Sequence, residues 1–335
     1  MRVGLALGGG AARGLAHLGV VETLCAAGIP VQVVAGTSMG ALVGAMFAQK
    51  ADATSMLADA TRFLRSPEFR QARIHRLQRE TAGEKSVLDA VSRYISRGRV
   101  LASTVTRPSV LDAEDLYELL GFFVDDRDIR SLHVPFFAVA ADLRTGEEVI
   151  LDRGPVIDAV AASSAVPGAF PPIVVGGREC VDGGVVNMVP VSVLRDMDLD
   201  YVIASNVSHE LPVPADAMKA LATHFRTHEI TKRTLTRLQV RFADAVITPQ
   251  IGQIHWADFT KSDEVIEAGR LAARGAIDTI HRDLKRLGRR PRFWRKPRRI
   301  PPEHGIVPPM SPLPSPAIEA APADATEPST EELDL

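Results

Sequence analysis

Cysteine is scarce in this chain: Cys25 and Cys180 are the two among 335 residues. They show neither C-x-x-C nor metal-ligand spacing, and both have apolar neighbours. A disulfide framework is thereby excluded, and both read as reduced core residues. Long apolar runs are also missing. No stretch reaches the ~18 residues of a membrane span, and the run at 3–7 is too short for the core of a signal peptide. Net charge is nearly absent, −2 at pH 7, which removes any overall bias towards nucleic acid. Residues 300–335 contain no Lys or Arg, but many prolines and several acids. Such a segment buries too little apolar surface to order itself. What remains is an expected cytoplasmic protein whose 46% hydrophobic content suffices for a full-sized core.

Hydrophobic patterning divides the chain. Residues 3–7 read as a short buried strand ended by Gly8-Gly9-Gly10, followed by a helix from about 15 to 27 that Gly28 and Pro30 stop. A second strand, 31–35, runs into a small-residue helix, which gives the β-α-β-α start of a parallel sheet covered by helices. Residues 50–130 are more charged and helical in spacing, an expected lid-like insert with a helix beginning at Asp112. Further strands are expected at 134–141, 148–151, 201–205 and 245–247, with a helix at 155–164. A last helix at 263–287 is predicted to start from a Thr260–Asp263 capping box. The domain reading is therefore a folded unit over 1–288 and a disordered tail over 289–335, intensely basic over 289–299.

The most informative segment is Gly36-Thr37-Ser38-Met39-Gly40, set between the second strand and its helix. Strand, sharp turn and helix with a serine at the apex form a nucleophile elbow. The competing reading is a tight turn whose hydroxyl caps the helix. Upstream, Leu7-Gly8-Gly9-Gly10-Ala11-Ala12-Arg13-Gly14 joins the first strand to its helix, where N–H donors can face a developing oxyanion. A phosphate cradle is disfavoured, since no Gly-Lys-Ser/Thr follows and a strict G-x-G-x-x-G is missing. Arg13 reads equally as a structural cation or as a ligand for an anionic group.

A serine also needs a base. His209, His224, His228 and His255 lie downstream, none in a small-residue loop. Asp182 is set between Val181 and Gly183-Gly184, where desolvation would raise its pKa into a useful range. An Asp-Gly hairpin turn is the alternative there, and Asp142, at a strand end, is the competing acid.

A glycine-rich loop, then G-x-S-x-G, then a distant Asp-Gly-Gly resembles the patatin-like phospholipase family in its compact bacterial branch. The stretch 162–172 before the Asp and residues 258–269 extend the likeness to about 3–285. The resemblance implies a three-layer α/β/α sandwich with a mostly parallel central sheet, and a Ser-Asp dyad of Ser38 as nucleophile and Asp182 as base. It implies an oxyanion hole from Gly8, Gly9, Gly10, Ala11, Arg13 and Gly14 together with the Met39 amide, supported by Gly36, Gly40, Gly183 and Gly184. The family has Gly where this chain has Ala11, and ordinary backbone angles are expected there. No metal or organic cofactor is implied. The expected substrate is a lipid or other acyl ester. The same acyl-enzyme could serve an acyltransferase, and a lipid-binding protein with an idle site is the non-catalytic alternative. Residues 289–299, with Phe293 and Trp294, are expected to touch anionic membrane surfaces. No specific nucleic acid is expected, and the oligomeric state is left open.

Overall fold

The computed structural model describes residues 1–71, 109–208, 220–252, 254 and 258–289. Much of the lid-like insert, His209, His255 and the tail beyond 289 lie outside the described residues.

One eight-stranded sheet organises the described chain, in the order β5-β6-β3-β2-β1-β7-β8, with β4 beside β3. The strands are β1 (Val3–Leu7), β2 (Val31–Thr37), β3 (Phe136–Asp142), β4 (Glu148–Leu151), β5 (Ile173–Val175), β6 (Arg178–Asp182), β7 (Tyr201–Ser205) and β8 (Ala245–Ile247). The run β3-β2-β1-β7-β8 is parallel, while β4 and β6 join β3 antiparallel and β5 joins β6 antiparallel. Every residue of β1 is buried, as a strand covered on both faces requires.

Alternate strand residues feed two separate cores, following the two-residue period of the pleat. Leu5, Leu7, Val34, Ala138 and Ala140 belong to one core, and Ala6, Val33, Ala35, Val139 and Val202 to the other. The first core is filled by α1 (Ala16–Ala26), α2 (Met39–Lys50), α3 (Ala53–Leu64), α4 (Pro67–Gln71), α5 (Ala113–Gly121), α6 (Val156–Ser164) and the long C-terminal helix. The second is covered by α7 (Val191–Arg195) and the end of α8 (Ala220–Val240). The outcome is the α/β/α sandwich with a mostly parallel sheet.

The final helix, α9 (Ser262–Gly288), crosses α1 closely, and its start differs from expectation. No Thr260–Asp263 capping box forms. Asp258 instead accepts the Thr260 amide at 3.1 Å and caps a preceding 3-10 turn, while Asp263 pairs with Arg65 across to α3. An acid that accepts from the amide two residues ahead makes an Asx turn, which competes with the helical cap.

β3 has a further property that positions the site. Its residues 138–141 pair with β4 along one edge. The other edge is shared end to end: β2 pairs up to Thr37↔Val139, and β6 pairs from Ala140↔Asp182. β2 runs parallel to β3 and β6 runs against it, so their C-terminal ends meet head to head at Val139 and Ala140. The last residue of β6 is Asp182, and the residue after β2 is Ser38.

Candidate active site

Ser38 occupies the apex of the β2–α2 turn with φ 55° and ψ −125°, a strained conformation for a residue with a Cβ. Its carbonyl accepts the Ala41 and Leu42 amides at 2.8 and 3.1 Å and so begins α2, yet its hydroxyl makes no capping bond. The simple N-cap reading therefore fails. The Ser38 amide donates to Ser163 Oγ at 2.9 Å, and Ser163 Oγ donates to the Val139 carbonyl at 2.6 Å. The turn is thus tied to α6 and β3. Flanking glycines are needed for close approach: a Cβ on Gly36 would lie 2.4 Å from the Gly40 carbonyl oxygen, and one on Gly40 would lie 2.2 Å from that of Leu7.

Asp182 ends β6 and caps the 3-10 turn Gly183–Val185, accepting the Gly184 amide at 2.7 Å. The hairpin alternative is thereby replaced by a strand-to-helical-turn junction. Glycine is required at 183, where a Cβ would sit 2.2 Å from the Val139 carbonyl oxygen. Ser38 and Asp182 are both buried. Burial pushes the Asp182 carboxyl above the ordinary carboxylate range, opposed by the Lys232 ammonium, a hydrogen bond with the Ser38 side chain and the Gly184 amide. The competing acid, Asp142, is fully engaged. It accepts the Arg144 and Thr145 amides and Arg178 Nη1, at 2.9, 3.2 and 3.2 Å. Burial alone would raise its pKa, but these partners outweigh it and hold it low.

The glycine loop lies against the elbow, since a Cβ on Gly9 would be 3.3 Å from Ser38 Cβ and one on Gly14 would be 2.4 Å from Met39 Cγ. Two of its amides are already committed: Gly8 N–H donates to the Ser205 carbonyl and Gly9 N–H to that of Met188, both at 3.0 Å. These two residues therefore shape the loop and do not offer an oxyanion their amides. Gly10 is the N-cap of the 3-10 helix Ala11–Leu15, Ala11 is its first residue, and Met39 opens α2, so their N–H groups have no intrahelical acceptor. Ala11 adopts φ 48°, a left-handed conformation rather than the ordinary angles expected. Arg13 is buried, its Nε has no partner among the described residues, and burial pulls its pKa to about 10 against the attraction of Glu229.

Two supports were not legible beforehand. His17 in α1 is fully buried beneath the loop, with Nε2 2.7 Å from the Gly8 carbonyl and Nδ1 2.9 Å from Ser205 Oγ. A carbonyl only accepts, so Nε2 carries the proton and Nδ1 accepts from the serine. Burial lowers the His17 pKa to about 4, despite the Gly8 bond. The ring is neutral at pH 7. The second support is α8, whose Gln239 donates to the Val186 carbonyl at 3.0 Å and accepts the Val189 amide at 3.4 Å. Lys232 lies seven residues earlier on the same helical face, consistent with its field at Asp182.

Beside Ser38 opens an apolar cavity of about 100 Å³, walled by α2 together with α3, α5 and the 164–170 segment. A hydroxyl, a buried acid, helix-start amides without an intrahelical acceptor and an apolar hollow suit attack on the carbonyl of an apolar acyl compound. Among the described residues no three His, Cys, Asp or Glu side chains converge to hold a metal ion, and no helix is long and apolar enough to cross a membrane.

An NTE family protein of Mycobacterium tuberculosis is 30% identical over 299 residues, covering 82% of this chain and 46% of its own length. Patatin-like phospholipase domain-containing protein 7 of Mus musculus is 27% identical over 303 residues, 82% of this chain and 20% of its own. Lysophospholipase NTE1 of Mycosarcoma maydis is 32% identical over 209 residues, 62% of this chain and 10% of its own. The chain thus spans about half the length of its mycobacterial relative and less of the other two. A family model described as patatin-like phospholipase matches residues 5–195, from the glycine loop through the elbow to Asp182, and this chain belongs to that family.

Proposed function

We propose that this chain hydrolyses acyl esters of lipids through a Ser38–Asp182 dyad. The observation that carries the reading is the meeting of β2 and β6 on neighbouring residues of β3, which sets a buried acid against the elbow serine. Ser38 Oγ attacks the ester carbonyl and Asp182 takes its proton. The tetrahedral oxyanion is held by the Gly10, Ala11 and Met39 amides. Collapse expels the alcohol, which takes the proton from Asp182 and leaves acyl-Ser38. Asp182 then deprotonates a water, whose attack releases the fatty acid and frees Ser38. The apolar cavity receives the acyl chain. The basic run at 289–299 is assigned to anionic lipid headgroups, each Lys or Arg contributing on the order of 1 kcal/mol near such a surface.

The test is turnover of an ester panel by wild type, Ser38→Ala and Asp182→Asn, with fluorophosphonate labelling of each. Both variants should keep the wild-type melting temperature and lose turnover by roughly a thousandfold or more. Retention of most activity in Asp182→Asn would remove the dyad from the mechanism.

A further inference from the structure

Asn187 bridges the strand end before the nucleophile and the turn after the acid, and we infer that it is a positioning residue for the reaction. Its backbone binds the chain neighbours of Ser38 and Asp182, and its side chain, fastened to Glu148, keeps that backbone in place. The inference rests on the Ser38–Asp182 reading above and adds the group that sets the spacing of the pair.

Both main-chain polar groups of Asn187 serve this task. Its carbonyl accepts the Thr37 hydroxyl at 2.8 Å, and its amide donates to the Gly183 carbonyl at 2.8 Å. Thr37 immediately precedes Ser38, and Gly183 immediately follows Asp182. The next carbonyl, that of Met188, accepts the Gly9 amide at 3.0 Å. Two consecutive carbonyls thus grip the elbow and the glycine loop, while the Asn187 amide holds the turn behind the acid. Thr37 and Asn187 are both buried, where the low local dielectric strengthens each bond.

The side chain anchors this bracket. Asn187 Nδ2 donates to Glu148 Oε1 and to Ser192 Oγ, both at 2.7 Å, which uses both of its hydrogens. Oδ1 is buried and has no donor among the described residues, so the carboxamide is held from its nitrogen alone. Glu148 begins β4 and pairs with Ala141 of β3, the strand whose other edge carries β2 and β6. Burial pushes the Glu148 carboxyl up, the Asn187 bond opposes this by favouring the ionised acceptor, and the Asp196 carboxylate adds to the rise. None of Thr37, Asn187 and Glu148 lines the apolar cavity. Their loss should therefore act on turnover and not on acyl-chain binding.

The experiment measures kcat and KM for one p-nitrophenyl ester, and the rate of fluorophosphonate labelling, well below the melting temperature of each protein. The variants are Asn187→Leu, Thr37→Val, Thr37→Ser, Glu148→Met and Glu148→Gln. Thr37→Val deletes the donor to the Asn187 carbonyl and Thr37→Ser keeps it, while Glu148→Met deletes the acceptor and Glu148→Gln keeps one. Asn187→Leu, Thr37→Val and Glu148→Met should each lower kcat roughly tenfold or more, leave KM within about twofold, and slow labelling in step. Thr37→Ser and Glu148→Gln should stay near wild type. A folded Thr37→Val with wild-type kcat overturns the inference. So does a Thr37→Ser that loses as much as Thr37→Val, because volume and not the hydroxyl bond is then at stake. Wild-type kcat in Glu148→Met overturns the anchoring role of Glu148. If Asn187→Leu does not fold, the two Thr37 variants decide. A wild type that neither labels nor cleaves any ester overturns the hydrolase reading, and the positioning role falls with it.

Discussion

Ala11 and His17 show how single residues set the glycine loop. Ala11 holds φ 48° although it carries a Cβ, a conformation costing roughly 1 kcal/mol that glycine avoids. Ala11→Gly should therefore raise the urea midpoint by the equivalent of about 0.5–1 kcal/mol with turnover intact. His17 clasps the Gly8 carbonyl while Met188 holds the Gly9 amide, so the peptide between the two glycines is fixed at both ends. His17→Ala should lower kcat far more than it raises KM, because the proposed oxyanion donors Gly10 and Ala11, next along the loop, lose their support. Nothing local distinguishes this residue in the sequence. It stands in an apolar helix, and its partners are a backbone carbonyl nearby and a serine 188 positions away. The histidines that compete as bases in the sequence, His209, His224, His228 and His255, all lie downstream, and this one is a strut. Ser38 and Asp182 were legible for the opposite reason: each is framed by glycines that close packing requires.

Secondary-structure elements were read unevenly, and the causes are physical. β1, β2, β3 and β7 have apolar runs bounded by turns, as central strands must. β6 was hidden because Arg178 and Glu179 are polar and solvent-accessible at its start, leaving only its last residues buried. α8 was also hidden. Thr223, Thr227, Thr231, Thr234 and Thr236 lower its helix propensity and blur its apolar face, yet it supplies Lys232 and Gln239 to the site. The contact of α1 with α9 depends on glycine as well: a Cβ on Gly19 would lie 2.1 Å from the Ile266 carbonyl oxygen, and one on Gly269 would lie 2.0 Å from that of Ala16. Gly269→Ala must push the helices apart and should cost about 1–3 kcal/mol in chemical denaturation. Since α1 carries His17, the same substitution should slow fluorophosphonate labelling of Ser38.

At the scale of the whole molecule, pH acts through two buried groups with different readouts. In the proposed mechanism Asp182 is ionised when it takes the Ser38 proton, and burial raises its pKa. Activity should therefore decline as pH falls through a value above the ordinary carboxylate range, which the acidic limb of kcat/KM measures. His17 acts on stability. Its folded value of about 4 lies below the ordinary 6.5, so between the two the unfolded chain binds more protons. Stability is complete above 6.5 and falls as pH drops towards 4, by at most ~3 kcal/mol. Denaturant midpoints across that window should show the loss in wild type and much less of it in His17→Gln.

The abutment of two oppositely directed strands on one edge of β3 bears on how activity arises during folding. Under the proposed dyad, neither partial sheet contains a reactive centre: docking residues 31–37 leaves the alcohol without an acceptor, and docking residues 178–182 leaves the acid without a donor. A displacement of one position in either strand would carry its side chain about 3.3 Å along the edge and to the opposite face. Chemical competence is consequently an all-or-nothing report on correct assembly, and recovery of probe reactivity after dilution from denaturant should trail the return of helical ellipticity.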